Sequence, residues 1–186
     1  AQVDGQDGAK YKSFETKEEA TKAFEKGYEH YLKTASSSKA AAGLTPKTPV
    51  GKPIWESLCV DAACSGNPGN MEYRGVYPPT MQEIFRIGPL KKGTNNIGEF
   101  LALVHGLALL KQKGSSLPIY SDSRNAIGWV KKKKCKTLLE RVPENEPIFD
   151  MIERAEKWLK TNTYTTPILK WETSEWGEIP ADFGRK

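Results

Sequence analysis

The sequence has few of the residues that form disulfides or bind zinc. It contains three cysteines and two histidines among 186 residues. The cysteines, Cys59, Cys64 and Cys135, are odd in number and form no CxxC pair. Neither a disulfide framework nor a cysteine-based zinc site is therefore predicted. Free cysteines are typical of a reducing compartment, and we expect a cytoplasmic location.

Long apolar runs are also absent. No stretch approaches the ~20 apolar residues that a membrane-spanning helix needs. The first residues have neither the basic start nor the apolar core of a secretory signal, so none is expected. Hydrophobic residues make up 38% of the chain and charged residues 27%. This composition is typical of a globular domain, and we expect no membrane partner.

The net charge is moderately positive and does not by itself identify a partner. A formal charge of +5 permits binding to a polyanion such as a nucleic acid. A charge of this size is equally typical of a soluble domain without such a partner.

Composition divides the chain into three parts. Residues 1–33 contain a short alternating stretch, Tyr11–Phe14, and a capping box from Thr16 to Glu19 that is followed by apolar residues at helical spacing. This pattern predicts a small α+β module or part of one. Residues 34–53 are rich in Ser, Ala, Lys, Thr, Gly and Pro, which predicts a flexible linker. Residues 54–186 contain most of the large apolar side chains and are expected to form one domain.

Strand and helix patterns alternate in this third part. Five strands are predicted over 54–61, 71–77, 82–88, 117–121 and 168–171. Four helices are predicted over 97–113, 124–134, 147–160 and 180–186. A three-stranded meander followed by alternating helices and strands predicts an α/β fold, with a mixed five-stranded sheet flanked by helices.

Four carboxylates fall at the ends of these predicted elements. Asp61 ends the first strand and Asp122 follows the fourth. Glu99 and Asp182 lie in the first turns of two helices. Each has a purely structural alternative, since acids form turns, cap helices and oppose the helix dipole.

Taken together, the four acids indicate a metal site. Asp61 and Asp122 would emerge at the carboxyl ends of neighbouring parallel strands, where ligand crevices open in α/β sheets. Clustered carboxylates repel one another unless cations lie between them. A set of four carboxylates offers hard oxygen ligands, which favour Mg²⁺ or Mn²⁺ over zinc. Two such ions roughly 3.5–4 Å apart can activate water and stabilise the leaving oxygen of a phosphodiester, so the pattern predicts a nuclease.

The segments around the four acids resemble the acidic motifs of ribonuclease H, type 1, in the order of that family. They are VDAACSGNPG around Asp61, TNNIGEFLALVHGLALL around Glu99, IYSDSRNAI around Asp122 and WGEIPADFGRK around Asp182. The resemblance spans residues 54–186. Residues 4–32 are similar to the later half of the hybrid-binding, viroplasmin-like module that often precedes this enzyme. The earlier strands and the tryptophan-bearing segment of that module are missing.

This resemblance implies an endoribonuclease that cleaves the RNA strand of an RNA/DNA hybrid, leaving a 5′-phosphate and a 3′-hydroxyl. It implies that Asp61, Glu99, Asp122 and Asp182 hold two Mg²⁺ ions, with Mn²⁺ as a substitute. Asp61 belongs to the most rigid element and is expected to bridge the ions. We expect a hybrid as partner, no organic cofactor and a monomer.

The sequence departs from the family pattern in one loop. Many members carry a histidine before the last aspartate, whereas His30 and His105 lie elsewhere. Glu178, four residues before Asp182, is similar to the acid of a branch that lacks this histidine. We expect Glu178 to assist proton transfer or metal departure, with a solvated loop acid as the alternative.

Polar residues beside the predicted metal ligands are candidates for contacts to substrate. Short side chains and open amides there can meet 2′-hydroxyls in a wide minor groove. Thr94 is also a candidate for contact with a phosphate of the DNA strand, and family analogy adds Thr137. Tyr11 and Lys12 resemble an aromatic and a basic contact of the hybrid-binding module, whereas Ser13 stands where a second basic residue is common. The candidates are Ser65, Gly66, Asn67, Thr94, Asn95, Asn96, Thr137, Tyr11 and Lys12. Asn96 is also a candidate helix cap.

A run of four lysines, residues 131–134, ends the helix after Asp122. Lysines at a helix C-terminus oppose the dipole, and they can equally contact phosphate. Trp129, Trp158 and Trp171 fall on apolar faces and are expected in the core.

Two other functions stay compatible with the sequence. One is a metal-dependent DNA nuclease or strand-transfer enzyme that uses similar carboxylates on the same fold. The other is a non-catalytic protein that binds hybrids and has kept the fold. Cleavage of duplex DNA, or binding without cleavage, would distinguish them.

Overall fold

A computed structural model of the chain describes residues 50–184. The predicted module over residues 1–33 and most of the predicted linker over residues 34–53 lie outside the described residues. The substrate candidates Tyr11 and Lys12 lie outside them as well. The division of the chain into these parts stays a prediction.

Five strands form one mixed sheet. They are β1 (Leu58–Cys64), β2 (Gly69–Tyr77), β3 (Gln82–Gly93), β4 (Ile119–Ser121) and β5 (Ile168–Lys170). Their order across the sheet is β3-β2-β1-β4-β5. The β1–β2 and β2–β3 pairs are antiparallel, whereas β4 is parallel to both β1 and β5. The predicted meander and the central place of β1 are therefore present.

Helices flank this sheet and complete the predicted α/β fold, which the structure confirms. They are α1 (Asn95–Gln112), α2 (Arg124–Lys131), α3 (Glu146–Thr161) and the short α4 (Thr173–Trp176). A single 3-10 turn, Pro143–Asn145, precedes α3. Within residues 50–184, no helix combines the length and the apolar character needed to cross a membrane.

Alternation along β1 sends its side chains to the two faces of the sheet. Val60 and Ala62 pack into the main core with buried residues of α1, α2 and α3. Cys59 packs on the other face in a smaller cluster that includes Trp171 from the C-terminal segment. Asp61 is two positions beyond Cys59 and so faces the side that the C-terminal segment covers.

Several element boundaries differ from the prediction, and two of these differences concern the predicted site. β1 continues for three residues past Asp61, because its pairing with β2 extends to Cys64. Asp61 therefore lies within a strand rather than at its end. α1 begins at Asn95 with Thr94 as its N-cap, so the interpretation of Asn96 as the cap was wrong.

The helix predicted over residues 180–186 was wrong for its described part. That part is irregular except for one turn at Pro180. The carbonyls of Ala181 and Asp182 accept hydrogen bonds from the side chain of Arg74. These contacts hold the segment in a non-helical conformation.

Candidate active site

Two of the predicted acids come from neighbouring parallel strands. β1 and β4 pair with Leu58 opposite Ile119 and Cys59 opposite Tyr120. Continuing this register by two residues sets Asp61 beside Asp122, which directly follows β4. The parallel pairing thus brings together two carboxylates that are 61 positions apart in the sequence.

Glu99 lies beside these two aspartates and belongs to α1. Because α1 begins at Asn95, Glu99 is in its second turn and not in the first turn as predicted. A Cβ added at Gly98 would lie only 2.6 Å from the Cβ of Ala62 in β1. The absence of a side chain at Gly98 therefore allows α1 to pack closely against β1. This close packing places Glu99 next to the acids of the sheet.

The three acids form a compact and largely buried cluster. One carboxylate oxygen from each of Asp61, Glu99 and Asp122 lies within 4.8 Å of the others. Asp61 and Glu99 are 7% and 8% exposed. Asn95 donates a hydrogen bond of 2.9 Å to Oε1 of Glu99. The other oxygen of Glu99, Oε2, and Oδ1 of Asp122 are buried and accept no hydrogen bond.

This crowding favours the protonated forms of the acids when no cation is bound. Burial and, secondly, the charge of Asp122 raise the pKa of Asp61 to about 8. Burial is also the main reason why the pKa of Glu99 is raised to about 7; the nearby hydroxyl of Ser123 opposes this rise, and the charge of Asp122 adds to it. The pKa of Asp122 is raised mainly by burial, with Asp182 and Glu178 adding to the effect and Lys170 opposing it.

The arrangement fits a divalent metal ion. Buried carboxylate oxygens without hydrogen-bond donors cost free energy unless a cation compensates them. All the clustered donors are carboxylate oxygens, which Mg²⁺ and Mn²⁺ prefer. A bound cation would also remove the mutual repulsion of the three acids. The ligand role of each residue stays a prediction.

The fourth predicted ligand, Asp182, lies near this cluster but outside its 4.8 Å limit. Its charge raises the pKa values of Asp61 and Asp122, so it belongs to the same electrostatic neighbourhood. Its Oδ2 accepts a hydrogen bond of 2.7 Å from the amide of Gly184. Glu178 is exposed, and its charge also raises the pKa of Asp122.

Aromatic packing supports the loop that carries Glu178. The ring of Trp176 lies 5.1 Å from Trp171 and 6.0 Å from Tyr120. The indole N–H of Trp176 donates to the carbonyl of Gly51, and that of Trp171 donates to the carbonyl of Gly177. Trp176 therefore packs within the domain, and Trp171 is buried as predicted.

The two polar stretches predicted to contact substrate are residues 65–67, which follow β1, and residues 94–96, which follow β3. Gly69 pairs with Gly93 at the end of the β2–β3 ladder, and the thiol of Cys64 donates to the carbonyl of Gly93. These contacts bring the turn of residues 65–67 beside residues 94–96. The side chains of the turn are exposed, as are Asn95 and Asn96.

Two further predicted contacts have local partners. The hydroxyl of Thr137 accepts a hydrogen bond from the amide of Leu139 at 3.0 Å. Within the lysine run, Lys134 forms an ion pair of 2.9 Å with Glu156. That contact favours the structural interpretation for this lysine. The binding roles of Thr137 and of the polar stretches stay predictions.

Sequence inspection missed two residues that the structure places near the acids. Lys170, at the end of β5, lowers the pKa of Asp122. Arg74, in β2, is the cross-strand partner of Asp61. Neither residue belongs to a recognisable motif, and no local pattern indicates which side chains a neighbouring strand will place there.

Two family models match parts of this chain. The RNase H family model matches residues 56–170, and the model of the ribonuclease H1 N-terminal domain matches residues 1–24. The chain belongs to the RNase H family.

Relatives of this chain are themselves ribonucleases H. The enzyme of Rhodopirellula baltica is 41% identical over 75 residues, which are 39% of this chain and 46% of that protein. The enzyme of Rippkaea orientalis is 33% identical over 102 residues, 52% of this chain and 62% of that protein. The chain thus spans about half to three fifths of the length of these relatives.

A solved structure of RNase H1 from the halophilic archaeon Halobacterium salinarum is also similar. It is 19% identical, and the alignment covers 64% of this chain and 86% of that one with a TM-score of 0.40.

Proposed function

We propose that this protein is an endoribonuclease that hydrolyses the RNA strand of RNA/DNA hybrids by a two-metal-ion mechanism. The products would be a 5′-phosphate and a 3′-hydroxyl. The main support is the cluster of Asp61, Glu99 and Asp122, with two buried oxygens that lack hydrogen-bond donors. Membership of the RNase H family supports the same chemistry.

The acids of the cluster would hold two Mg²⁺ ions, with Mn²⁺ as a substitute. Asp61 would bridge the ions, because it belongs to β1, which is held by β2 on one side and by β4 on the other. Glu99, Asp122 and Asp182 would complete the ligand set. When bound, such ions lower the pKa of the attacking water and stabilise charge on the leaving oxygen.

Other residues of this chain would select and position the hybrid. Ser65, Gly66 and Asn67 would meet ribose hydroxyls together with Asn95 and Asn96, because both stretches lie beside the acids. Thr94 and Thr137 would hold the DNA strand. Contacts from Tyr11 and Lys12 are proposed on family analogy alone.

Three properties of the whole protein are also proposals. Its segment over residues 1–33 would bind hybrids as a partial module, which the match of residues 1–24 to the ribonuclease H1 N-terminal domain supports. The protein would act as a monomer without an organic cofactor. It would work in the cytoplasm.

Cleavage of a labelled RNA strand tests this function. We expect Mg²⁺-dependent cutting when the strand is paired with DNA, and none when it is single-stranded, paired with RNA or treated with EDTA. Asp122→Asn should lower the rate by at least ~10³-fold, because it removes a ligand charge worth several kcal/mol in the transition state.

Other outcomes would assign the other functions. Comparable cutting of duplex DNA would indicate a DNA nuclease or strand-transfer enzyme. Hybrid binding without any cutting would indicate a non-catalytic protein. Cutting that survives Asp122→Asn would contradict the proposed site.

Glu178 is proposed to take up or deliver protons at its carboxylate. Its exposed position in a loop and its effect on the pKa of Asp122 support this role, and general acid–base catalysis contributes about 10²-fold or more. We expect Glu178→Gln to lower turnover by about that factor at saturating Mg²⁺, measured by single-turnover cleavage. Glu175→Gln is a matched control, because Glu175 is an exposed acid on the same segment. Unchanged turnover of Glu178→Gln across a Mg²⁺ titration would exclude the role.

A further inference from the structure

Arg74 lies in a row of charged residues that crosses three strands. It stands opposite Asp61 of β1 on one side and opposite Arg86 of β3 on the other. Directly opposed residues of antiparallel strands share a face of the sheet. Arg74 therefore faces the C-terminal segment, as Asp61 does.

The guanidinium of Arg74 contacts three consecutive residues of that segment. Its Nε donates to the carbonyl of Ala181 at 2.9 Å, and its Nη2 donates to the carbonyl of Asp182 at 2.6 Å. The ring of Phe183 lies 4.7 Å from the guanidinium carbon. Hydrogen bonds from a charged donor are about twice as strong as neutral ones, and the ring adds a cation–π contact.

The orientation of Arg74 is itself fixed. Its Nη1 donates to Glu83 of β3 at 3.2 Å, and its side chain is only 22% exposed. The planar fork of arginine can therefore bond Glu83 and both carbonyls at once. A lysine side chain has a single nitrogen and lacks this planar geometry.

These contacts are important because Asp182 has no regular element to hold it. Asp61 belongs to a strand, Glu99 belongs to a helix, and Asp122 follows a strand directly. Asp182 lies in an irregular segment, where its own amide donates to the carbonyl of Ile179. Arg74 thus connects Asp182 to the strand that pairs with the one carrying Asp61.

We propose that Arg74 is a positioning residue that holds the backbone of Asp182 at the metal centre. Arg74 bonds the carbonyl of Asp182 and not its carboxylate, so this contact does not occupy the carboxylate that would bind metal. The metal-binding aspect of this role rests on the proposed function. The anchoring of the segment does not.

Arg74→Lys tests the role, with Arg86→Lys as a matched control. Both arginines lie over the ring of Phe183, at 4.7 and 5.3 Å. Arg86 bonds Glu72, whereas Arg74 bonds the two carbonyls. The same substitution at both sites keeps the charge and changes the carbonyl contacts only for Arg74.

The first readout is amide hydrogen exchange in the metal-free protein. Exchange of a peptide covering residues 179–184 should become about 10-fold faster in Arg74→Lys and should be unchanged in Arg86→Lys. Unchanged exchange in Arg74→Lys, or equal acceleration in both variants, would overturn the anchoring role.

The second readout is Mn²⁺ binding, measured by calorimetry on the full chain without nucleic acid. We expect Arg74→Lys to weaken Mn²⁺ binding about 10-fold, which is the lower end of the range for partners of metal ligands. Cleavage at low Mg²⁺ should fall and recover at high Mg²⁺, with KM for the hybrid unchanged.

A double-mutant cycle separates positioning from general destabilisation. If Arg74 acts through Asp182, Arg74→Lys should not weaken Mn²⁺ binding further in an Asp182→Asn background. An additive loss in that background would refute the proposal even if the single variant is destabilised.

The proposed enzyme and the positioning role can fail separately. Faster exchange and weaker Mn²⁺ binding in a protein that cuts no hybrid would refute the function alone. Normal cutting with no change in exchange or Mn²⁺ binding would refute the role of Arg74 alone.

Discussion

Asp61→Asn is expected to abolish cleavage while making the metal-free protein more stable. The loss should be at least ~10³-fold, because the substitution removes the proposed bridging ligand. The gain in stability follows from removing a buried carboxylate that two other acids crowd. We expect a free energy of unfolding higher by ~2 kcal/mol at pH 8 in EDTA, measured by denaturant unfolding.

The size of this gain should depend on pH in a defined direction. In the unfolded chain Asp61 titrates near pH ~4, and in the folded metal-free protein its pKa is about 8. Below pH ~4 the carboxyl of Asp61 is protonated in both states, so its ionisation does not lower the free energy of unfolding. Between the two values the folded state binds more protons, so wild-type stability falls as the pH rises. The Asn variant should therefore match the wild type near pH 4 and exceed it increasingly up to pH 8.

Magnesium provides the control for this prediction. Mg²⁺ should stabilise the wild type by binding the folded state and should have a much smaller effect on Asp61→Asn. A variant that is less stable than the wild type at pH 8 in EDTA would contradict the repulsion argument. Equal stabilisation of both proteins by Mg²⁺ would contradict the ligand role.

Gly98→Ala is expected to destabilise the fold and to weaken the metal site together. The new Cβ would lie 2.6 Å from the Cβ of Ala62 and 3.1 Å from the Cγ of Met71. Since Ala62 cannot rotate away, α1 must shift from β1 and carry Glu99 with it. We expect the free energy of unfolding to fall by ~2 kcal/mol, which is within the usual range for overpacking.

Gly128→Ala is the matched control. Gly128 also lies within a helix, but a Cβ there would have no neighbour within 4 Å. Alanine should stabilise this position by up to ~1 kcal/mol, because it is the better helix former. Mn²⁺ titration should show weaker binding for Gly98→Ala only. Equal effects of the two substitutions would show that close packing at Gly98 does not position Glu99.

The sequence by itself determined the fold class and the acids. The periodicities of strands and helices are local, so the type and order of all five strands and of α1, α2 and α3 were predictable, whereas some of their ends differ by up to five residues. Asp61 and Asp122 were predictable as neighbours because a parallel sheet brings the carboxyl ends of its strands together, whereas Glu99 lies on a helix and was indicated by the resemblance of its segment. The resemblance of the four segments then indicated the family.

Only the tertiary structure decided how the last acid is held. Pro180 and the acid after it suggested the start of a helix, yet Arg74 bonds the carbonyls of Ala181 and Asp182 from 107 and 108 residues away. The position of Asp61 inside β1 likewise depends on pairing with β2. Contacts between residues so far apart leave no periodicity in the sequence, because they depend on which strands become neighbours when the chain folds.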